Sequence, residues 1–421
     1  MKKIKVEIKR LGAIVNSTID ISPVMLFSGE SGVGKSYLAM MCHYFFDVLL
    51  SATRINRYVE GKGWNFLQMR EKFHNSGLAI TISKADFESW LAEDCLTYLR
   101  WMLNNDKLKG EIVVHLPESI DERIDVRYEE EVLGLVDNED YYLKLHMLDL
   151  TYRVQDGSIE SESPFSFLLR HCLIHHLLGD FKNLREEYVF PPSRGPMLTE
   201  EVKPRTGLYE KYRNTIFNIE RVSPHPESVS IKLKSLFNSI LNGQISRKAG
   251  TYMYMTSNEE IPISAAAASV REIAPLSLLV ERTDISKIAI LFEEPEAHLH
   301  PLKQRMMADI IACFINSGAY MQITTHSDYF LRRMNELINL GKLKDKWAGE
   351  QERFKILCDS LGVDEELALN FSHMTAYLVE NQGDGTSRII QQNIQDGVPF
   401  ASFSKAIEES LHNSYQILDN L

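Results

Sequence analysis

The eight residues Gly29-Glu30-Ser31-Gly32-Val33-Gly34-Lys35-Ser36 spell G-x-x-x-x-G-K-[ST], the pattern of a loop that cradles phosphate. Both flanks fit. Val24-Met25-Leu26-Phe27 before it is an apolar run of strand length, and residues 37–50 (YLAMMCHYFFDVLL) are apolar and aromatic enough for a buried helix. Glycines let the chain curl so that successive backbone N–H groups face one anion. The helix N-terminus adds partial positive charge. In this pattern residues 29–34, namely Gly29, Glu30, Ser31, Gly32, Val33 and Gly34, line the phosphates. Lys35 reaches the β- and γ-phosphates, and the Ser36 hydroxyl ligates Mg²⁺. Strand, glycine loop and helix in that order predict an α/β fold that binds ATP with Mg²⁺.

A second stretch supplies acids. Residues 288–292 (IAILF) form a continuous apolar run, as a buried parallel strand does, and end in Glu293-Glu294-Pro295-Glu296. Carboxylates at the carboxyl end of such a strand lie beside the phosphate loop in an open α/β sheet. The first acid holds Mg²⁺, and the second points at the γ-phosphate and orients the attacking water. Farther on, Tyr320-Met321-Gln322-Ile323-Thr324-Thr325-His326-Ser327 is another apolar strand ending in Thr-Thr-His. A histidine there can meet the γ-phosphate or the attacking water.

The bulk numbers bound the class. The 421 residues are 44% hydrophobic and 25% charged, which is the balance of a globular chain with a large core. Five scattered cysteines without a C-x-x-C pair argue against a zinc ribbon and for a reducing, cytoplasmic compartment. No apolar run reaches membrane-spanning length, so no membrane association is expected. The net charge of −12 argues against wrapping nucleic acid over the whole surface. Two small basic groups, Arg54, Arg57 and Lys62 near Tyr58 and Trp64, and Lys342, Lys344 and Lys346 beside Trp347, read first as solvated faces.

Along the chain, residues 3–22 suggest two strands, and the helix after Lys35 is expected to run to about Tyr58. Residues 60–160 change texture. Short β-like runs (78–83, 111–115, 143–154) alternate with helix (86–103), which reads as an α+β insertion. Residues 165–178 (FSFLLRHCLIHHLL) form a strongly apolar helix. His171 and His175 share a face there, with His176 and Asp180 nearby, and partly buried helix histidines are the default reading over a metal pair. Residues 199–242 read as two helices broken at 224–226, and 250–263 as a hairpin with a polar tip. The tail offers one strand near Met374 and a Gly-Asp-Gly turn at 383–385. It has no acid set of a nuclease.

The phosphate loop, ILFEEPEAHLHP and ITTHS, in this order, resemble the ABC-type ATPases. Within them they are most similar to the OLD-like bacterial ATPases, which include the ATPase subunits of the anti-phage systems Septu, Gabija and PARIS. IPISAAAASVREIAPL at 261–276 sits where that family carries its signature helix, and PPSRG at 191–195 resembles a proline-arginine turn of its stand-alone members. The resemblance implies an ABC-type P-loop ATPase head with a mixed sheet. Residues 1–60 would form the N-terminal half of the core, 61–180 the insertion and 181–421 the C-terminal half. It implies catalytic roles for Glu294, His326 and Lys35, and Mg²⁺ held by Ser36 and Glu293, a glutamate where aspartate is commoner.

Such heads bind two ATPs head to tail, with the signature helix of one capping the γ-phosphate on the other. Here the signature reads Ala267-Ala268-Ser269, which leaves Ser264, Ser269 and the helix N-terminus as donors. The implied partners are a second copy across the ATPs and a separate effector such as a nuclease. Two alternatives stay open: an ATP-stabilised scaffold with little hydrolysis, and a RecF-like DNA-repair clamp. A P-loop kinase would not need the EEPEAHLHP and TTHS pair. SMC-like repair proteins place long coiled coils where this chain has roughly 230 residues without heptads.

Overall fold

Three strands open the chain: β1 (Lys5–Leu11), β2 (Ile14–Asp20) and β3 (Val24–Gly29). The computed structural model describes residues 4–65, 78–133, 140–155, 163–178, 184–199, 203–222, 231–248, 250–398 and 401–418. Next come β4 (Leu78–Ser83), β5 (Gly110–His115), β6 (Arg123–Leu133), β7 (Asp140–Met147) and β8 (Leu150–Gln155). Then follow β9 (Glu186–Phe190), β10 (Gln244–Lys248), β11 (Thr251–Met255) and β12 (Glu260–Pro262). The last four are β13 (Ile288–Glu293), β14 (Tyr320–Thr324), β15 (Met374–Asn381) and β16 (Ser387–Gln392).

Nine of these make one mixed sheet in the order β5-β1-β2-β16-β15-β3-β14-β13-β9. Its half from β15 to β9 is all parallel. The other half is mostly antiparallel. The parallel strands β3, β13 and β14 are buried throughout, which is why their sequences are continuous apolar runs. Alternate residues feed two cores. Met25, Phe27, Ala289 and Leu291 pack toward the helix Lys35–Leu50, while Val24, Leu26, Ile290 and Phe292 pack toward the helices Ala268–Val280, Pro301–Asn316 and Asp328–Lys346. The fold is α/β with a large mixed sheet, as the motifs predict.

Some expectations shift. The helix after the loop is two helices, Lys35–Leu50 and Ala52–Gly61, which meet at 79°. The reason is Ser51: its backbone is extended and its hydroxyl accepts from the Arg54 N–H, so it caps the second helix. The run 143–154 is two strands, β7 and β8, turned at Leu148, whose φ is 51°. The 61–180 stretch holds the separate antiparallel sheet β4-β6-β7-β8, but its β5 pairs with β1 at the edge of the large sheet. The tail contributes β15 directly beside β3, so the last quarter of the chain helps to position the phosphate loop. The break expected at 224–226 lies outside the described residues. Among the described residues, no single helix is long and apolar enough to cross a membrane.

Candidate nucleotide site

The loop geometry follows from its glycines. Gly29 ends β3 with φ 135°, and a Cβ there would lie 2.2 Å from the Val379 carbonyl oxygen on β15, so only glycine can turn the chain at this place. Gly34, with φ 105°, precedes the first residue of the helix Lys35–Leu50. Lys35 is buried. Its ammonium donates to the carbonyls of Gly29 (2.9 Å) and Glu30 (2.5 Å) and faces Nδ1 of His326 at 3.4 Å. Burial pushes Lys35 down to about 8, against the pull of Glu294, Glu296 and Glu293.

Strand β13 delivers the acids next to it. The Ser36 hydroxyl donates to Oε2 of Glu293 at 2.7 Å. Glu293 is only 3% exposed, and its other oxygen, Oε1, has no hydrogen-bond partner among the described residues. Burial pushes this carboxyl up to about 7, with the Ser36 bond pulling the other way. An orphaned buried carboxylate oxygen beside a hydroxyl is what a hard divalent cation satisfies, so Ser36 and Glu293 fit Mg²⁺.

Consecutive acids would normally point to opposite faces of a strand. Here Glu294 turns out of it with φ 45°, a left-handed conformation that costs a non-glycine residue about 1–3 kcal/mol. Its N–H donates to the carbonyl (3.1 Å) and hydroxyl (3.2 Å) of Thr324, which holds the turn. Its carboxylate is half-buried in the cavity wall and lies 3.4 Å from Nε2 of His326. The neighbours assign the histidine tautomer. Lys35 donates to Nδ1, so Nε2 carries the hydrogen and faces Glu294. Burial and the nearby Lys35 lower the pKa of His326, which keeps it neutral.

Two further residues were passed over or left without a role in the sequence. Glu296 is buried. Its Oε1 accepts from the Thr325 hydroxyl (2.7 Å) and from the His326 N–H (2.6 Å), so it fixes the backbone of the histidine. Oε2 has no partner among the described residues, and burial raises the pKa of this carboxyl. The third acid of EEPE was the available signal. Arg194, in the PPSRG turn, is fully buried. It donates to the Glu293 and Pro191 carbonyls, both at 3.0 Å, and lies over the Phe292 ring at 4.9 Å. Its N–H and Nε bind Glu272 at 2.6 and 3.2 Å. The turn thus ties the helix Ala268–Val280 to the strand that carries the acids.

The loop, Glu294, Thr324 and His326 line one cavity of about 600 Å³. Ser264 is exposed and Ser269 is half-buried in the first turn of the helix Ala268–Val280; neither lines this cavity. Among the described residues, no group of three or more His, Cys, Asp and Glu residues fits a metal. His171 lies against Phe167, and His175 and His176 both reach Asp149. Asp180 lies outside the described residues. Two members of the first basic group are paired, Arg54 with Asp47 and Asp94 and Lys62 with Asp86, while Arg57 is exposed. In the second, Arg353 rather than a lysine covers Trp347, at 4.1 Å.

Residues 196–331 match the AAA ATPase domain family. That stretch carries Glu293, Glu294 and His326 and leaves out the phosphate loop. A comparison with the curated proteins finds no match. Among solved structures, the SMC head domain from Thermotoga maritima is similar over 93% of this chain and 100% of that chain, at 11% identity and a TM-score of 0.34. The Smc head domain with an extended coiled coil bound to the C-terminal domain of ScpA, derived from Pyrococcus furiosus, is similar over 98% and 99%, at 10% identity and 0.37. An SmcHead bound to the C-winged helix domain of ScpA is similar over 94% and 98%, at 11% and 0.36.

Proposed function

We propose that this chain is an ATP-hydrolysing conformational switch that closes with a second copy of itself across bound nucleotide. The observation that carries the reading is the contact of Ser36 with Glu293, with Lys35, His326 and Glu294 converging on the same cavity. Lys35 holds the β- and γ-phosphates once it exchanges the Gly29 and Glu30 carbonyls for them. Ser36 and Glu293 would hold Mg²⁺, which would supply positive charge against the phosphate oxygens. Glu294 accepts the proton of the attacking water. His326, neutral and held through its N–H by Glu296, donates from Nε2 toward the transferred group.

Ser264 and Ser269 sit outside the cavity of their own chain, which suits donors offered to a second copy. A ligand that binds one state about 10⁴-fold better moves a population from 1:99 to 99:1, which is the differential affinity ATP must have for the closed state to drive such closure by itself. The output goes to a separate effector, a nuclease in an anti-phage system; the motif resemblance supports that setting.

The test is the solution mass of Glu294→Gln by light scattering, with and without Mg-ATP, beside phosphate release by the unaltered chain. Mass that doubles with ATP and turnover that needs Glu294 are the expected results. A monomer under both conditions sinks closure. Phosphate release equal to background in the unaltered chain sinks hydrolysis and leaves a nucleotide-stabilised scaffold. ATP-dependent, salt-sensitive duplex binding would favour a DNA clamp instead.

A further inference from the structure

The nucleotide cavity has a second wall, which the phosphate-loop chemistry does not use. Residues 105–109 join the helix Lys84–Leu103 to β5 and border the cavity together with the turn between β1 and β2. This wall is anchored. The Gly12 N–H donates to the Lys109 carbonyl at 3.2 Å, the Leu108 N–H to the Asn105 carbonyl at 3.1 Å, and Leu108 is buried. The Lys107 N–H donates to the Asn105 side chain at 3.2 Å. The turn also packs on the start of the phosphate-loop helix, since a Cβ on Gly12 would lie 2.9 Å from the Tyr37 ring.

Three cations stand on this wall: Arg10, Lys107 and Lys109, all exposed and all bordering the cavity. None has a carboxylate partner among the described residues, although the chain carries twelve more acids than bases and the neighbouring Lys9 is paired with Glu111. Asp106 is the one acid in the loop, and it is not part of the cavity wall. Unpaired cations around one cavity of an acidic protein point to an anionic ligand that completes them. The phosphate loop already takes the β- and γ-phosphates through Lys35. What is left at this wall is the other end of the same molecule.

We propose that the 105–109 loop and Arg10 hold the nucleoside end of the triphosphate, with Lys107 and Lys109 on the α-phosphate and ribose and the Arg10 guanidinium on the face of the base. The inference rests on the ATP reading of the phosphate loop and deepens it. The loop belongs to the 61–180 stretch and joins its helix Lys84–Leu103 to β5, so nucleotide occupancy would be felt there.

Two probes separate the ends of the ligand: Mg-ATP and inorganic pyrophosphate with Mg²⁺, which stands in for the β- and γ-phosphates alone, titrated calorimetrically into the full chain. In the Lys107→Ala/Lys109→Ala double variant, and separately in Arg10→Ala, the ATP Kd should rise roughly 10-fold or more while the pyrophosphate Kd changes less than about twofold. Equal losses for both probes would mean a diffuse field effect and overturn the assignment. Unchanged ATP binding in both variants would overturn it as well. Lys35→Ala should lose both probes; if it binds both as the unaltered chain does, the phosphate-loop reading itself has failed. All three cations are exposed, so these variants keep the fold.

Discussion

The helix Lys35–Leu50 carries two buried charge clusters of opposite character. At its start, Lys35 and Ser36 meet Glu293, Glu294 and His326, and two carboxylate oxygens, Glu293 Oε1 and Glu296 Oε2, are buried with no partner among the described residues. About two to three turns on, His43 and Asp47 meet a network in which every buried carboxylate is paired. Lys211 bridges Asp47 at 2.5 Å and Glu187, and Arg54 bridges Asp47 (2.7 Å) and Asp94 (3.0 Å). His43 binds Glu187 at 2.7 Å and Gln322 at 2.9 Å. A closed network fixes structure. An open one, in equally deep surroundings, marks where a charged ligand completes the set.

The sharpest way to break this contrast is Glu294→Gln. Removing the proposed proton acceptor should lower phosphate release by about 10²–10⁴-fold. The half-buried side chain makes little packing, so urea unfolding should move within about 0.5 kcal/mol. Retained turnover would place the chemistry elsewhere.

The closed cluster should respond the other way. Lys211→Met leaves Asp47 and Glu187 buried without their shared cation and should cost about 3–5 kcal/mol in urea unfolding, with pyrophosphate affinity unchanged. A cost under about 1 kcal/mol would mean that water already serves these carboxylates.

Glu293→Gln probes the open cluster itself. It should weaken Mg²⁺-dependent nucleotide binding and yet stabilise the nucleotide-free fold by about 1 kcal/mol at pH 8. The sign follows from linkage. Glu293 is raised to about 7, so between the ordinary carboxylate range and pH 7 the folded chain holds a proton that the unfolded chain has lost. Its contribution to stability therefore falls as pH rises through that window, and the gain from Gln should shrink toward pH 5. Destabilisation at pH 8 would refute the orphaned carboxylate.

Affinity for Mg-ATP should itself peak between about pH 7 and 8. Below that window Glu293 is protonated and loses its charge for Mg²⁺. Above it Lys35, lowered to about 8, loses its charge for phosphate. A flat profile from pH 6 to 9 would remove both shifts. The smallest effect is expected from Thr325→Val, which deletes one bond to Glu296 and should slow turnover only a few-fold, about 1 kcal/mol.

Much of the open cluster was legible in the sequence. Gly29, Gly34, Lys35, Ser36, Glu293, Glu294 and His326 lie in short motifs whose spacing encodes strand, turn and helix, and the structure gathers them at one end of the parallel strands. The closed cluster was not legible. His43, Glu187, Lys211 and Asp94 come from four distant segments, and a buried ion pair leaves no local pattern. Arg54 even read as part of a basic surface. Glu296 and Arg194 fell between, visible within motifs but without a role until their partners were placed.

The sequence by itself determined the phosphate loop, the parallel strands and the order of the candidate site groups, because these depend on φ preferences and apolar runs within a few residues. Only the tertiary structure decided which carboxylates are paired and which are left open. It also brought β15 against Gly29, β5 to the edge of the large sheet and the 105–109 loop to the mouth of the cavity. Those outcomes depend on which distant side chains share a low-dielectric interior, and pairing there is set by the packing of whole elements rather than by neighbours along the chain.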